Sequence, residues 1–220
     1  MIEIKNVTKI YNGGKAGEVK ALDNVSLSIA DGEFVAVTGE SGSGKSTLLN
    51  LIGALDAPTQ GEVIVGGRDI SRLSEEQAAK FRRENVGFVF QGFYLEESFS
   101  VLVNVEIPLI LRGAEEKARE ARAREMLAKF DLADKEDALP AQLSGGQMQR
   151  VCIARALAGG AQLILADEPT GNLDSKSGSA VMDVFRTLAQ EGVTVVMVTH
   201  NKEFAARCDR VIELKDGRVQ

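Results

Sequence analysis

Apolar and polar positions alternate near both ends of this chain. IEIKNV and a longer alternating run over Val19 to Ile29 each predict a strand with one buried face. EVIVGGRDI puts Gly66-Gly67 between two short strand-like runs, as a two-residue hairpin turn requires, and RVIELKDGRV does the same with Asp216-Gly217. Between these ends the pattern changes. Residues 34–37, 86–90, 163–166 and 194–198 are apolar runs too short for helices, the signature of parallel strands covered on both faces. The first leads into a glycine loop and a helix predicted over 46–55. Over 91–144 the periodicity is helical. Segment 115–130 is alanine-rich and charge-laced, with Ala118, Ala121, Met126, Leu127 and Phe130 predicted as its apolar face. Together the elements predict an α/β fold with a mixed, mostly parallel sheet, an N-terminal antiparallel β subdomain and an inserted helical subdomain.

Composition narrows the class. A chain of 220 residues, 44% apolar and 26% charged, has enough material for one full α/β core. A formal net charge of -6 argues against a nucleic-acid surface, so no nucleic acid is expected as partner. No stretch approaches the roughly 20 apolar residues that span a bilayer, and MIEIKNVTKIY reads as a strand, not a signal peptide. Cys152 and Cys208 have neither metal-ligand nor disulfide-framework spacing and are expected as reduced, packed thiols of a cytosolic protein.

The chemistry gathers at strand ends. GESGSGKST over 39–47 matches G-x-x-x-x-G-K-[ST], with a predicted strand before it and a helix after it. Gly39, Gly42 and Gly44 let backbone N–H groups converge on phosphate oxygens, with Glu40, Ser41, Ser43 and Thr47 completing the loop. Lys45 can reach the β- and γ-phosphates, and the Ser46 hydroxyl can coordinate Mg²⁺. Asp167, closing another strand, is suited to a second Mg²⁺ contact, and Glu168 to orienting or deprotonating the attacking water; the plainer alternative is a pair of solvated loop acids. His200 ends TVVMVTH and is either a structural histidine or, at the carboxyl end of a buried strand where ligands of open α/β sheets gather, a γ-phosphate contact. Gln91 closes VGFVFQ at an equivalent address and could offer its amide oxygen to Mg²⁺ or water. Tyr11, in KIYNGG, either stacks on an adenine or packs into the core. LSGGQMQR opens with a capping box, Ser144 and Gln147, around two glycines. It is either an ordinary capped helix start or a second anion site; beside a complete P-loop, the latter suggests nucleotide gripped by two copies of the chain.

In this order, P-loop, strand-end glutamine, LSGGQ, apolar run with Asp-Glu, GNLD and strand-end histidine, the motifs resemble the ATPase subunit of ABC transporters over essentially the whole chain. The resemblance implies a P-loop NTPase core and a single nucleotide-binding domain over 1–220. Its core and β subdomain would occupy 1–91 and 159–220, and its helical subdomain about 92–158. It implies ATP and Mg²⁺ as cofactors, ATP hydrolysis, and a head-to-tail homodimer with each ATP between one P-loop and the partner's LSGGQ. On matching positions Tyr11 would stack on adenine and Gln91 would be the Q-loop residue. Ser144, Gly145, Gly146 and Gln147 would bind the partner's ATP, and Asn172, Leu173 and Asp174 would communicate across the dimer. Glu168 would be the general base and His200 the γ-phosphate switch.

GEFVAVTGESGSGKSTLLNLIGALDAPTQGEV and LADEPTGNLDS resemble one branch in particular, which holds lipoprotein-releasing, macrolide-exporting and antimicrobial-peptide-detoxifying systems and a cell-division ATPase. That implies a protein peripheral to the cytoplasmic face of the cell membrane, with permease subunits docked near Gln91 and Val105 and lipoprotein, peptide or drug-like cargo. The alternative is a mechanical ATPase that regulates a membrane partner without transport. Two positions depart from the branch: Leu95-Glu96-Glu97-Ser98 replaces a leucine-leucine-proline-like stretch, and Val103 replaces a glutamate before Asn104. Nearby, Phe93, Tyr94, Leu95, Phe99, Val101 and Leu102 either dock a partner helix or form local core.

Overall fold

Alternation along the central strands separates two apolar clusters, and those clusters organise two sheets. The computed structural model describes residues 1–14 and 17–220. One sheet is antiparallel, in the order β2 (Val19–Ile29), β1 (Ile2–Tyr11), β4 (Gln60–Val65), β5 (Arg68–Asp69). The other runs β10 (Arg218–Val219), β9 (Arg210–Lys215), β3 (Phe34–Thr38), β8 (Thr194–Val198), β7 (Leu163–Asp167), β6 (Val86–Phe90), parallel except for the β9–β10 hairpin. Phe34, Ala36, Val89, Ile164, Ala166, Val195 and Met197 point into one cluster, while Val35, Val37, Leu163, Leu165, Val196 and Val198 point into the other. Helices α3 (Val101–Leu111), α4 (Glu116–Lys129), α5 (Gly145–Ala158) and α6 (Ser175–Gln190) cover the first face. Helix α1 (Lys45–Ile52), Phe81 of α2 (Glu75–Asn85) and the antiparallel sheet cover the second. A four-residue helix, α7 (Lys202–Ala205), follows β8. The mixed, mostly parallel sheet and the antiparallel β subdomain thus match the expected architecture. No helix among the described residues is long and apolar enough to cross a membrane.

Three details differ from the periodicity. In β1 the buried positions are Ile2, Ile4 and then Val7, because Asn6 adopts a left-handed φ of 51° and resets the alternation at a bulge. Helix α1 stops at Ile52, short of residue 55, where Gly53 and a left-handed Ala54 turn the chain and the Leu55 N–H returns to Asn50 O. In α4, Ala118 and Ala121 are exposed; the buried stripe is Ala123, Met126, Leu127 and Phe130. The position that continues this stripe toward the N-terminus is Arg119. Its guanidinium meets Glu106 of α3 at 3.2 Å, with side chains 26% and 6% exposed, so a charge pair occupies a place expected to be apolar. Helices α2 and α6, which the apolar runs alone did not reveal, start at side-chain caps from Ser74 and Asp174.

The apolar group after β6 divides. Val101 is buried, and Phe93, Leu95 and Leu102 pack partly against the same core, whereas Tyr94 is 71% exposed and Phe99 44%. Asn104, fully buried, accepts from Glu96 N–H and donates to the carbonyls of Glu96, Phe99 and Ser100, fastening the Leu95-to-Ser98 stretch.

Two outcomes follow. Burial pushes the Cys152 thiol up to about 11 and the Cys208 thiol to about 12. At pH 8 the folded chain should therefore alkylate slowly, with about a hundredfold less thiolate at Cys152 than an ordinary cysteine offers, and yield two fast thiols in denaturant. Glu106 Oε1 has no hydrogen-bond partner among the described residues, so Glu106 depends on Arg119 for compensation. Arg119→Met should cost about 2 kcal/mol in denaturant unfolding, the lower side of a buried-pair loss because Arg119 is partly solvated. Adding Glu106→Leu should recover most of it.

Candidate active site

Parallel register brings the carboxyl ends of four strands to one level. Phe90 pairs with Asp167, Asp167 with Val198, and Val198 with Val37. The residues just beyond that row are Gln91, Glu168, Thr199-His200 and Thr38-Gly39. Glu168 N–H donates to Val198 O at 3.0 Å and Thr199 N–H to Val37 O at 3.1 Å, so the strand ends remain tied past the sheet.

Beyond β3 the loop over 39–44 wraps closely against its neighbours. A Cβ on Gly39 (φ 144°) would lie 2.1 Å from Leu214 O, and one on Gly44 (φ 103°) 2.4 Å from Ala21 O. These two glycines are therefore required by backbone contact with β9 and β2 as well as by their dihedrals. Ser43 N–H closes a turn on Glu40 O, and its buried hydroxyl has no partner among the described residues. Lys45 Nζ curls back to Gly39 O at 2.9 Å and Glu40 O at 2.7 Å. Among the described residues no protein acceptor takes the N–H groups of Gly42, Gly44, Lys45, Ser46 or Thr47. Five unpaired donors at the positive end of a helix, with an ammonium beside them, fit a chain of phosphates.

Ser46 Oγ donates to Asp167 Oδ2 at 3.2 Å. Burial raises the Asp167 carboxyl above its ordinary value; the Ser46 hydroxyl opposes this, and the Glu168 charge adds to it. A hydroxyl beside a partly buried carboxylate fits a divalent cation, with phosphate and water supplying the remaining ligands. Among the described residues no group of three or more His, Cys, Asp or Glu could hold a metal ion alone. Glu168 sits at φ 48°, a left-handed conformation uncommon for glutamate, and its Oε1 meets His200 Nδ1 at 2.9 Å. The His200 side chain is 74% exposed. A cavity of about 640 Å³ is lined by Tyr11, the P-loop residues Gly39, Ser41, Gly42 and Gly44 to Thr47, Gln91, Asp167, Glu168 and His200.

Gln91 is turned toward Asn172. Its Nε2 donates to Asn172 Oδ1 at 3.1 Å, and Asn172 Nδ2 donates to Gln91 O at 2.9 Å. A Cβ on Gly171 would lie 2.6 Å from Gln91 Nε2, so the glycine makes room for this side chain. The Gln91–Asn172 pair spans 81 residues and carries no sequence signal. Tyr11 is half-buried at the cavity rim, its hydroxyl on Asp56 Oδ2 at 2.9 Å.

The LSGGQ segment lies away from this cavity. Ser144 Oγ accepts from Gln147 N–H and Gln147 Oε1 from Ser144 N–H, the expected capping box. The two glycines also meet a packing demand within the chain: added Cβ atoms would lie 3.1 Å from Leu173 Cδ2 at Gly145 and from Ser177 Cβ at Gly146. The Gly145 and Gly146 N–H groups have no protein acceptor among the described residues. Asp174 caps α6 through Ser177 N–H, so the GNLD loop spans from Gln91 to the start of α5.

Known proteins resemble this chain over its whole length. The family model described as ABC transporter matches residues 22–171. The chain is 50% identical over 219 residues to an ABC transporter ATP-binding protein of Methanocaldococcus jannaschii, covering 100% of this chain and 97% of that one. It is equally similar, at 50%, to the macrolide export ATP-binding/permease protein MacB of Salmonella typhimurium, and 48% identical to the pyoverdine export ATP-binding/permease protein PvdT of Pseudomonas fluorescens. It spans 34% and 33% of those two longer proteins. Among solved structures it resembles a dimeric ATP-binding cassette in a post-hydrolysis state bound to ADP and Pi, with TM-score 0.89 and 48% identity over 100% of this chain and 97% of that one.

The raised Asp167 pKa has a consequence for stability. Its charge costs the folded, ligand-free chain stability at any pH above the raised value, and that cost vanishes below the ordinary carboxylate range. Asp167→Asn should raise the melting temperature at pH 7.5 by about a degree or two, kept small by partial solvation, with the gain fading toward pH 3.5. A thermal-shift series across pH checks this, and a lower melting temperature at pH 7.5 would contradict it.

Proposed function

This chain belongs to the ABC transporter family, and on that premise we propose that it binds and hydrolyses Mg-ATP as a homodimer and thereby drives membrane permease subunits. The observation that carries the reading is the convergence of the P-loop, Ser46–Asp167, Glu168–His200 and Gln91 on one cavity. The free N–H groups of Gly42 and of Gly44 to Thr47, with the Lys45 ammonium, take the phosphates, and the Tyr11 ring takes the adenine. Mg²⁺, when bound, neutralises phosphate charge. Ser46 and Asp167 would hold it, and Gln91 would join them by exchanging Asn172 for the metal or its water. Glu168 Oε1 accepts the proton of the attacking water, and His200, in contact with the same carboxylate, senses the γ-phosphate.

Dimerisation is supported by the free N–H groups of Gly145 and Gly146, which lie outside the lining of the chain's own cavity. Ser144, Gly145, Gly146 and Gln147 at the start of α5 serve the ATP of the partner, and Asn172, Leu173 and Asp174 carry the closure between the two sites. Residues 92–158 form the helical subdomain that passes the motion on. For the permease, Tyr94 and Phe99 are exposed within 91–105, and Tyr94 packs edge-on against Phe90, which with Phe88, Pro108 and Leu111 lines a groove of about 600 Å³. The macrolide-exporting and pyoverdine-exporting relatives support efflux; we read the cargo as a lipoprotein, peptide or drug-like molecule and the chain as acting on the cytoplasmic face of the membrane.

Glu168→Gln should keep ATP affinity while slowing hydrolysis by roughly 10²–10⁴-fold and trapping a dimer visible by light scattering; undiminished turnover removes Glu168 from the chemistry. Mixing Ser144→Arg chains with Lys45→Ala chains should restore activity from one complete composite site. Failure of the mixture to exceed either variant alone would count against sharing.

A further inference from the structure

Lys9 and Asp56 stand outside the motifs, yet both are bonded to the rim of the cavity. Lys9 lies two residues before Tyr11 on β1, so their side chains share a face of the strand. The Lys9 side chain is only 12% exposed, and Nζ contacts Asp56 Oδ1 at 2.6 Å and Ala57 O at 2.8 Å. The same ammonium sits over the Tyr11 ring, 4.9 Å from its centroid. The Tyr11 hydroxyl donates to the other oxygen of Asp56 at 2.9 Å, and Ala57 N–H donates to Oδ1 at 2.7 Å. Burial alone would raise the Asp56 carboxyl, but Lys9, Tyr11 and the Ala57 N–H outweigh it and hold it below its ordinary value. Burial also raises the Tyr11 phenol, which keeps it a donor.

This triad leaves the ring few orientations. Its hydroxyl is tethered and one face carries a cation, so the opposite face and an edge remain for the cavity, which Tyr11 lines with Lys45 and Ser46. Asp56 follows α1, whose first turn carries the phosphate donors. The tether therefore references the ring to the helix that begins at the P-loop. A ring held in place before binding loses less rotamer freedom when a base stacks on it.

We propose that Lys9 and Asp56 are positioning residues that fix the Tyr11 ring at a set distance from the phosphate cradle, so that purine stacking and phosphate binding act together. The inference rests on the stacking role given to Tyr11 above, and the test separates the two. Equilibrium binding of a non-hydrolysable ATP analogue is compared with that of inorganic tripolyphosphate, which has no base. Tyr11→Ala should weaken the analogue roughly tenfold, the scale of one aromatic stack, and leave tripolyphosphate unchanged. Asp56→Ala and Lys9→Met should each produce about a three- to tenfold loss for the analogue alone. Tyr11→Phe, which keeps the ring and removes only the tether, should lie between them and wild type. In the Tyr11→Ala background, Asp56→Ala should add nothing.

Analogue affinity unchanged by Lys9→Met and Asp56→Ala, with Tyr11→Ala still weak, overturns the inference and spares the stacking role. Wild-type analogue affinity in Tyr11→Ala overturns both. Parallel loss of tripolyphosphate in the Asp56 and Lys9 variants assigns these residues to holding α1 and likewise overturns the inference.

Discussion

The register of the parallel strands is the constraint on which the rest of the molecule depends. Asp167 pairs with both Phe90 and Val198, and Val198 with Val37, so four strand ends distant in sequence come to one level. A slip of one residue in β7 would turn Leu163 and Leu165 toward α5 and α6 and bring Ile164 and Ala166 against α1, exchanging their clusters. The same slip would carry Asp167 away from the Ser46 hydroxyl. Packing of the apolar alternation therefore aims the polar residues, because both are set by one register.

What this scaffold holds at its rim is poorly satisfied by the chain itself. Glu168 has a left-handed backbone, Asp167 is partly buried beside another carboxylate, Ser43 Oγ lacks a partner among the described residues, and Lys45 bends back onto loop carbonyls. The conditions at Asp167 and Lys45 would be relieved by the proposed ligand. Phosphates supply acceptors for the free N–H groups and a better partner for Lys45, and a cation reverses the electrostatics that oppose two adjacent carboxylates. The surrounding clusters are fully packed and can support this local cost.

The elements and site addresses legible in the sequence share a property: each is written in a short window. The apolar runs of β3, β6, β7 and β8, the turns at Gly66-Gly67 and Asp216-Gly217, the P-loop and the capping box at Ser144 all fall in this class. What was not legible depends on distant partners. Asn6 shifts the phase of β1 through a bulge against β2 and β4, visible only once the strands are paired. Arg119 occupies a buried stripe because Glu106 lies opposite on another helix. The turn of Gln91 toward Asn172 needs Gly171 to leave room, and Tyr11 owes its orientation to Asp56 after α1. Local chemistry sets which residue types stand at the site, while long-range contacts set which way they face.

Helix α5 shows how such contacts can join separate motifs. Its start is the LSGGQ capping box, and one face of its body runs along the segment that follows β6. Buried Gln149 donates to Phe90 O at 3.4 Å, Cys152 Sγ donates to Phe93 O at 3.2 Å, and the Arg155 guanidinium holds the carbonyls of Phe93 and Tyr94. Phe93 and Tyr94 both have left-handed φ, so these fastenings hold a strained turn directly after Gln91. On the other side, Leu173 packs at Gly145 while Asn172 grips Gln91. The cavity-facing glutamine, the exposed Tyr94 and the free N–H groups of Gly145 and Gly146 are thus linked to one rigid element. A displacement at the start of α5 in the proposed dimer cannot leave Gln91 and Tyr94 where they were unless these contacts break. Transmission to a membrane partner then needs only a helix that moves as a unit, and α5, packed against α3, α4 and α6, has the contacts to move the helices around it.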